Sequence, residues 1–95
     1  MTAEEQGSVR NNAEKRRFEL QIGDAIAVAE YRLRDKVITF THTEVPPALE
    51  GRGIGAQLVK AALDDSRSQG YRVIPACPFV AQYIRRHPDY SDLVG

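Results

Sequence analysis

Gly51-Arg52-Gly53-Ile54-Gly55 sets a glycine at every second position, and a helical pattern begins inside it. The pair Pro46-Pro47 stands just upstream. Proline donates no hydrogen bond to a ladder, so a strand must end there. Glycine adopts positive φ without strain and leaves the main chain uncovered. Any strand before Pro46 is therefore finished, and a helix opens soon afterwards on bare backbone. The first N–H groups of a helix lack intrahelical partners, and the macrodipole makes that end partly positive. Uncovered amides at such an end can cradle a phosphate. The same glycines also suit a plain flexible connector, and spacing alone leaves both readings open.

Upstream the pattern has period two. In Arg17–Ile22, Phe18, Leu20 and Ile22 alternate with Arg17, Glu19 and Gln21, as in a strand with one wet face. Gly23-Asp24 marks a tight turn. A second strand follows, with Ala25, Ala27, Ala29, Tyr31 and Leu33 on one face. Arg34-Asp35-Lys36 is a second turn, and Lys36–Val45 is a third strand rich in β-branched residues. Strict alternation puts Ile38, Phe40, His42 and Glu44 on one face of it. Three strands with short turns make an antiparallel meander. Residues 1–13 are polar and pattern-free, read as a flexible N-terminal tail before a domain over 14–95.

Downstream, a helix is expected from about Gly53 to Gln69. Ile54, Leu58, Ala61 and Ala62 form its apolar face, with Val59 and Leu63 beside them and Gly70 at C′. Tyr71–Cys77 reads as a short fourth strand. A helix links it to the third strand, so the two should be parallel through a right-handed crossover. Pro78 suits the first position of a second helix, with Phe79, Val80, Tyr83 and Ile84 inward and His87-Pro88 closing it. Asp89–Gly95 is a short end that docks or frays. The order βββ-α-β-α is an α+β domain, with helices packed on a mixed, largely antiparallel sheet.

Ninety-five residues at 42% hydrophobic content supply one modest core. Thirteen basic and thirteen acidic side chains balance, so no global field draws in nucleic acid or a membrane surface. An anion site must then be local. The single cysteine excludes an internal disulfide, and His42 and His87 lie too far apart in sequence to indicate a metal site. No apolar run approaches the ~20 residues that span a bilayer. The first residues lack the apolar stretch of a signal peptide. A cytoplasmic protein, monomeric or weakly dimeric, is expected.

Three nucleotide-binding patterns can be set against the glycine stretch. A Walker A loop needs Gly-Lys-Ser/Thr, but Gly55 is followed by Ala56-Gln57. Gly51-x-Gly53-x-x-Ala56 matches the Rossmann fingerprint formally. Antiparallel strands precede it, however, and too little chain follows for a doubly wound sheet. The stretch resembles the pyrophosphate loop of the GNAT superfamily of N-acetyltransferases, Arg/Gln-x-x-Gly-x-Gly/Ala opening a helix after a strand. Gly53 and Gly55 occupy its glycine positions. Glu50 departs from the pattern where that superfamily prefers Arg or Gln, and Arg52 beside it offers a compensating charge.

"HTEVPPALEGRGIGAQLV" followed by "VIPACPFVAQYIRRHPDY" is similar to the short, single-domain branch of that superfamily. The likeness runs from about Arg16 to Leu93. It implies acetyl-coenzyme A as cofactor, bound at Gly51, Arg52, Gly53, Ile54, Gly55 and Ala56. The backbone around Thr43, Glu44 and Val45 would pair with the pantetheine arm. It implies acetyl transfer to an amine or protein acceptor. The alternatives are a cofactor-binding module with weak or no catalysis, and an interaction domain with no cofactor. The short branch lacks the N-terminal helices that usually shape an acceptor pocket, so its acceptor is expected to be large or loosely held.

Acetyl transfer requires a neutral amine, a polarised thioester carbonyl and a proton for the leaving thiolate. Cys77 falls at the N-cap of the second helix, where a thiol can serve as nucleophile or proton donor. The resemblance strengthens that reading, because the short branch carries a cysteine in the same Pro-x-Cys setting. The other reading of Cys77 is a small buried packing residue, since free cysteine is among the most buried types. His42 and Glu44 are candidate bases on the third strand, or structural and solvated residues respectively. Tyr83 is a candidate proton donor or a core tyrosine. Lys60, Arg85 and Arg86 read as solvated helix faces and receive no role.

Overall fold

The computed structural model describes residues 8–94. Five strands form one sheet in the order β1-β2-β3-β4-β5. They are β1 (Val9–Asn12), β2 (Arg17–Ile22), β3 (Ala25–Arg34), β4 (Val37–Glu44) and β5 (Arg72–Pro75). Helix α1 (Ile54–Gln69) links β4 to β5, and α2 (Pro78–Arg86) follows β5. The first four strands pair antiparallel, while β5 joins β4 in parallel. This is the expected α+β arrangement with one strand added at the N-terminal edge.

That added strand corrects the tail expected over 1–13; residues 1–7 lie outside the described residues. β1 has no apolar alternation to announce it, and polar pairs across the strands hold it. Arg17, Asn12 and Arg10 all donate to the Glu19 carboxylate, at 2.7, 3.0 and 3.4 Å. On the opposite face, the Tyr31 hydroxyl donates to Asn11 Oδ1 at 2.7 Å. The hydrogen bond from Arg17 is the main cause holding the Glu19 carboxyl below its ordinary range, and burial opposes it. A carboxylate with a depressed pKa stabilises the fold above its unfolded value of 4.5. That contribution disappears as pH falls through the folded value. Glu19→Gln should therefore lower the urea midpoint at pH 7. It should also flatten the loss of stability that the unaltered chain shows as pH falls below 4.5. Parallel acid limbs in the two proteins would remove Glu19 from the pH response.

One core lies between the sheet and the helices. Phe18, Leu20, Ala27, Ala29, Tyr31, Ile38 and Phe40 supply the sheet side. Leu58, Val59, Ala62 and Leu63 from α1 pack on them, with Val80 and Ile84 from α2. Both crossovers advance in one direction across the sheet, since Val94 bridges in parallel to Val73 beyond β5. Right-handed crossovers that advance the same way stack their helices on the same face. The other sheet face stays open: Ile26 and Ile74 on it are exposed. Gly70 ends α1 in the left-handed conformation, as the sequence predicts. The chain after α2 docks as a 3-10 turn over Pro88–Leu93. Arg67 holds it through Asp92, at 2.7 Å, and Tyr90 through Asp64, at 2.6 Å.

Two local expectations are corrected. Phe79 is 42% exposed rather than inward, because α2 turns that flank toward the start of α1 and away from the sheet. His42 and Glu44 do not share the Ile38 and Phe40 face. Glu30 pairs with His42 while Tyr31 pairs with Phe40, so Thr41 is an extra residue in β4. One inserted residue reverses the facing of all that follow. Thr43 consequently turns inward, while His42 and Glu44 point to the open face.

Candidate functional site

The glycine stretch opens α1 as its pattern predicts. Gly51 and Gly53 have φ of 80° and 71°, and Gly53 is the N-cap. A Cβ placed on either would meet no protein atom within 4 Å, so both look onto open space. Gly55 serves a different purpose. A Cβ there would stand 2.8 Å from Phe79 Cζ, so this glycine lets the two helices approach. The first bond of the helix runs from the Gln57 N–H to the Gly53 carbonyl at 3.0 Å. The amides of Ile54, Gly55 and Ala56 therefore lack intrahelical acceptors. No side chain caps them, and the first turn holds no acidic residue. Three donors are thus left free at the positive end of a sixteen-residue helix.

Their residues line a cavity of about 410 Å³ between the start of α1 and α2. Val45, Leu49, Glu50 and the glycine stretch form one wall. Phe79, Gln82, Tyr83 and Arg86 form the other, followed by His87. Their spacing of three, four and seven residues puts these α2 side chains on one flank. The same spacing is present in the sequence, where Phe79 and Tyr83 also fit an inward apolar stripe with Val80 and Ile84. The Tyr83 ring stacks on His87 with centroids 4.0 Å apart. Burial pushes the Tyr83 phenol above its ordinary pKa, so it stays protonated at neutral pH. Arg52 is not among the lining residues, although Glu50 and Gly51 on one side of it and Gly53 on the other are.

A second feature lies where β4 parts from β5. Their pairing ends at Phe40 with Pro75, and the Cys77 N–H donates to the Phe40 carbonyl at 2.8 Å. Thr41–Glu44 then runs on, paired to β3 alone. Cys77 is the N-cap of α2 and only 5% exposed, and its Sγ lies 3.4 Å from Thr43 Oγ1. Thr43 and Cys77 are thus brought together from positions far apart in the chain. Among the residues expected to act, Gly51, Gly53, Ile54, Gly55, Ala56 and Val45 meet at the cavity. Cys77 and Thr43 stand at the parting of the strands. His42 and Glu44 pair with each other at 3.4 Å on the open face, where both side chains are more than half exposed.

The model of the family described as GCN5-related N-acetyl-transferase matches residues 17–93. The chain belongs to that family. Protein NATD1 of Mus musculus is 31% identical over 94 residues, spanning 92% of this chain and 84% of its own. Protein NATD1 of Homo sapiens is 31% identical over 84 residues, spanning 84% and 74%. The solution NMR structure of a GCN5-like protein from Staphylococcus aureus superposes with a TM-score of 0.72 at 25% identity. It covers 93% of this chain and 87% of that one. The open amides at the α1 start and the strand end without a partner therefore belong to an N-acetyltransferase-type fold in its short form.

Proposed function

We propose that the protein binds acetyl-coenzyme A and transfers the acetyl group to an amine. The observation that carries this is the set of three uncapped amides at Ile54, Gly55 and Ala56, opening on the cavity beside the unpaired end of β4. The residues fit the cofactor. Amides at a helix start suit a diphosphate. The free edge of β4 beyond Phe40 offers main-chain donors and acceptors to an extended amide-bearing arm. Val45, Leu49, Ile54 and Phe79 supply apolar walls that shield it from water. The cofactor supplies an activated acetyl group on a good leaving group. A backbone N–H near Val45 is assigned to polarising the carbonyl. Tyr83 holds a proton at its hydroxyl, ready for a leaving thiolate. Cys77 keeps its thiol where β4 and β5 separate, and we assign it to the chemistry. The acceptor is an amine on a protein or other large molecule, in keeping with an open sheet face that carries no helix among the described residues.

Glu50 on the cavity wall favours one competing reading, a binding module with weak catalysis, because a carboxylate beside a diphosphate opposes it. Isothermal calorimetry with acetyl-coenzyme A and a thiol-release assay over a panel of amines and peptides separate the two. Saturable binding with amine-dependent thiol release is expected. Binding without release from any acceptor leaves the module, and no heat at millimolar ligand removes both.

A further inference from the structure

Arg86 stands on the cavity wall opposite the three free amides and Glu50. Among the described residues it is the one Lys or Arg that lines this cavity, and no carboxylate lies within ion-pair distance of it. Its neighbour Arg85 has the same charge and the same place in the last turn of α2, yet faces a different groove with Ala81 and Ile84. Compensation of the helix dipole is served equally by either arginine, so it does not explain why one is aimed at the cavity. His87 is turned elsewhere: its Nδ1 lies 2.9 Å from the Tyr83 carbonyl, which can only accept, so that nitrogen donates within α2.

We infer that Arg86 is the cation of the phosphate site. It comes from the second helix rather than from Arg52 in the glycine stretch, and it binds a phosphate of the nucleotide half of the cofactor. This rests on the reading of the cavity as an acetyl-coenzyme A site. A planar guanidinium suits a phosphate in two-point contact. It also offsets Glu50, the acidic residue that the pyrophosphate pattern would not have placed there.

The test is calorimetry on the full chain with three ligands: acetyl-coenzyme A, its 3′-dephospho form, and acetyl-pantetheine, which has no phosphate. Arg86→Gln should weaken acetyl-coenzyme A binding about tenfold or more and reduce its salt dependence. It should leave acetyl-pantetheine binding within twofold. Arg85→Gln should bind all three as the unaltered chain does. If the Arg86→Gln deficit vanishes with the dephospho ligand, the partner is the 3′-phosphate; if it persists, the partner is the diphosphate. Either result supports the inference. Arg86→Gln binding acetyl-coenzyme A within twofold of the unaltered chain overturns it and leaves the cofactor reading standing. Failure of the unaltered chain to bind acetyl-coenzyme A removes reading and inference together.

Discussion

Cys77→Ala lowers acetyl turnover by more than roughly a hundredfold, the scale on which positioned proton-transfer groups act. It leaves acetyl-coenzyme A affinity within about twofold, because Cys77 is not among the residues lining the cavity proposed for the nucleotide. The location argues for this outcome. β4 has just lost β5, α2 begins, and among the described residues Sγ meets the Thr43 hydroxyl as its one polar partner, at 3.4 Å. The competing role is packing, and it makes a different forecast. Removing one atom from a site that is 5% exposed costs about 1 kcal/mol of stability and leaves turnover alone. Steady-state kinetics with a urea melt of the same variant decide between them. A stable Cys77→Ala protein at full rate would show that the thiol only fills space. Thr43→Val keeps the shape and deletes the hydroxyl, so a smaller loss of turnover is expected from it.

Gly53→Val reduces acetyl-coenzyme A affinity more than tenfold, a loss above ~1.4 kcal/mol. Two causes act together. At φ 71° a β-branched residue is strained, which disturbs the cap that positions the amides. Its side chain also covers those amides. Gly53→Asn separates the two effects, because asparagine tolerates the left-handed region while still carrying a Cβ. The protein itself has room for that Cβ, with no atom within 4 Å. Gly53→Asn should therefore melt within a few degrees of the unaltered chain and still lose most of its affinity. Full affinity in a well-folded Gly53→Asn protein would make the stretch a connector and nothing more.

Much of the architecture is legible in local pattern. Alternation over Phe18–Ile22 and the turns at Gly23 and Asp35 announce the meander. Pro46-Pro47 marks its end, Gly70 the end of α1 and Pro78 the start of α2. Each signal lies in a few contiguous residues and acts through backbone chemistry that needs no distant partner. The candidate site was half legible. Its glycine wall is such a local signal. Its second wall, from Phe79 to Arg86, is not, since a helix shows several possible flanks and only its neighbour selects one. Apolarity alone points Phe79 to the core, yet it packs against Gly55 at the cavity.

By itself the sequence determined the order of elements from Arg17 onward, the parallel crossover and the bare helix start, because propensity, periodicity and glycine or proline chemistry are properties of neighbouring residues. The tertiary structure alone decided that Val9–Asn12 is a strand, since a polar segment becomes one only when Glu19 and Tyr31 are there to receive it. It alone decided that His42 and Glu44 leave the core face, because the extra residue at Thr41 exists only relative to the register of β3. It also brought Thr43 to Cys77 and set Arg86 on the cavity that the glycine stretch lines, placements that depend on where β5 stops pairing and how α2 is then set down.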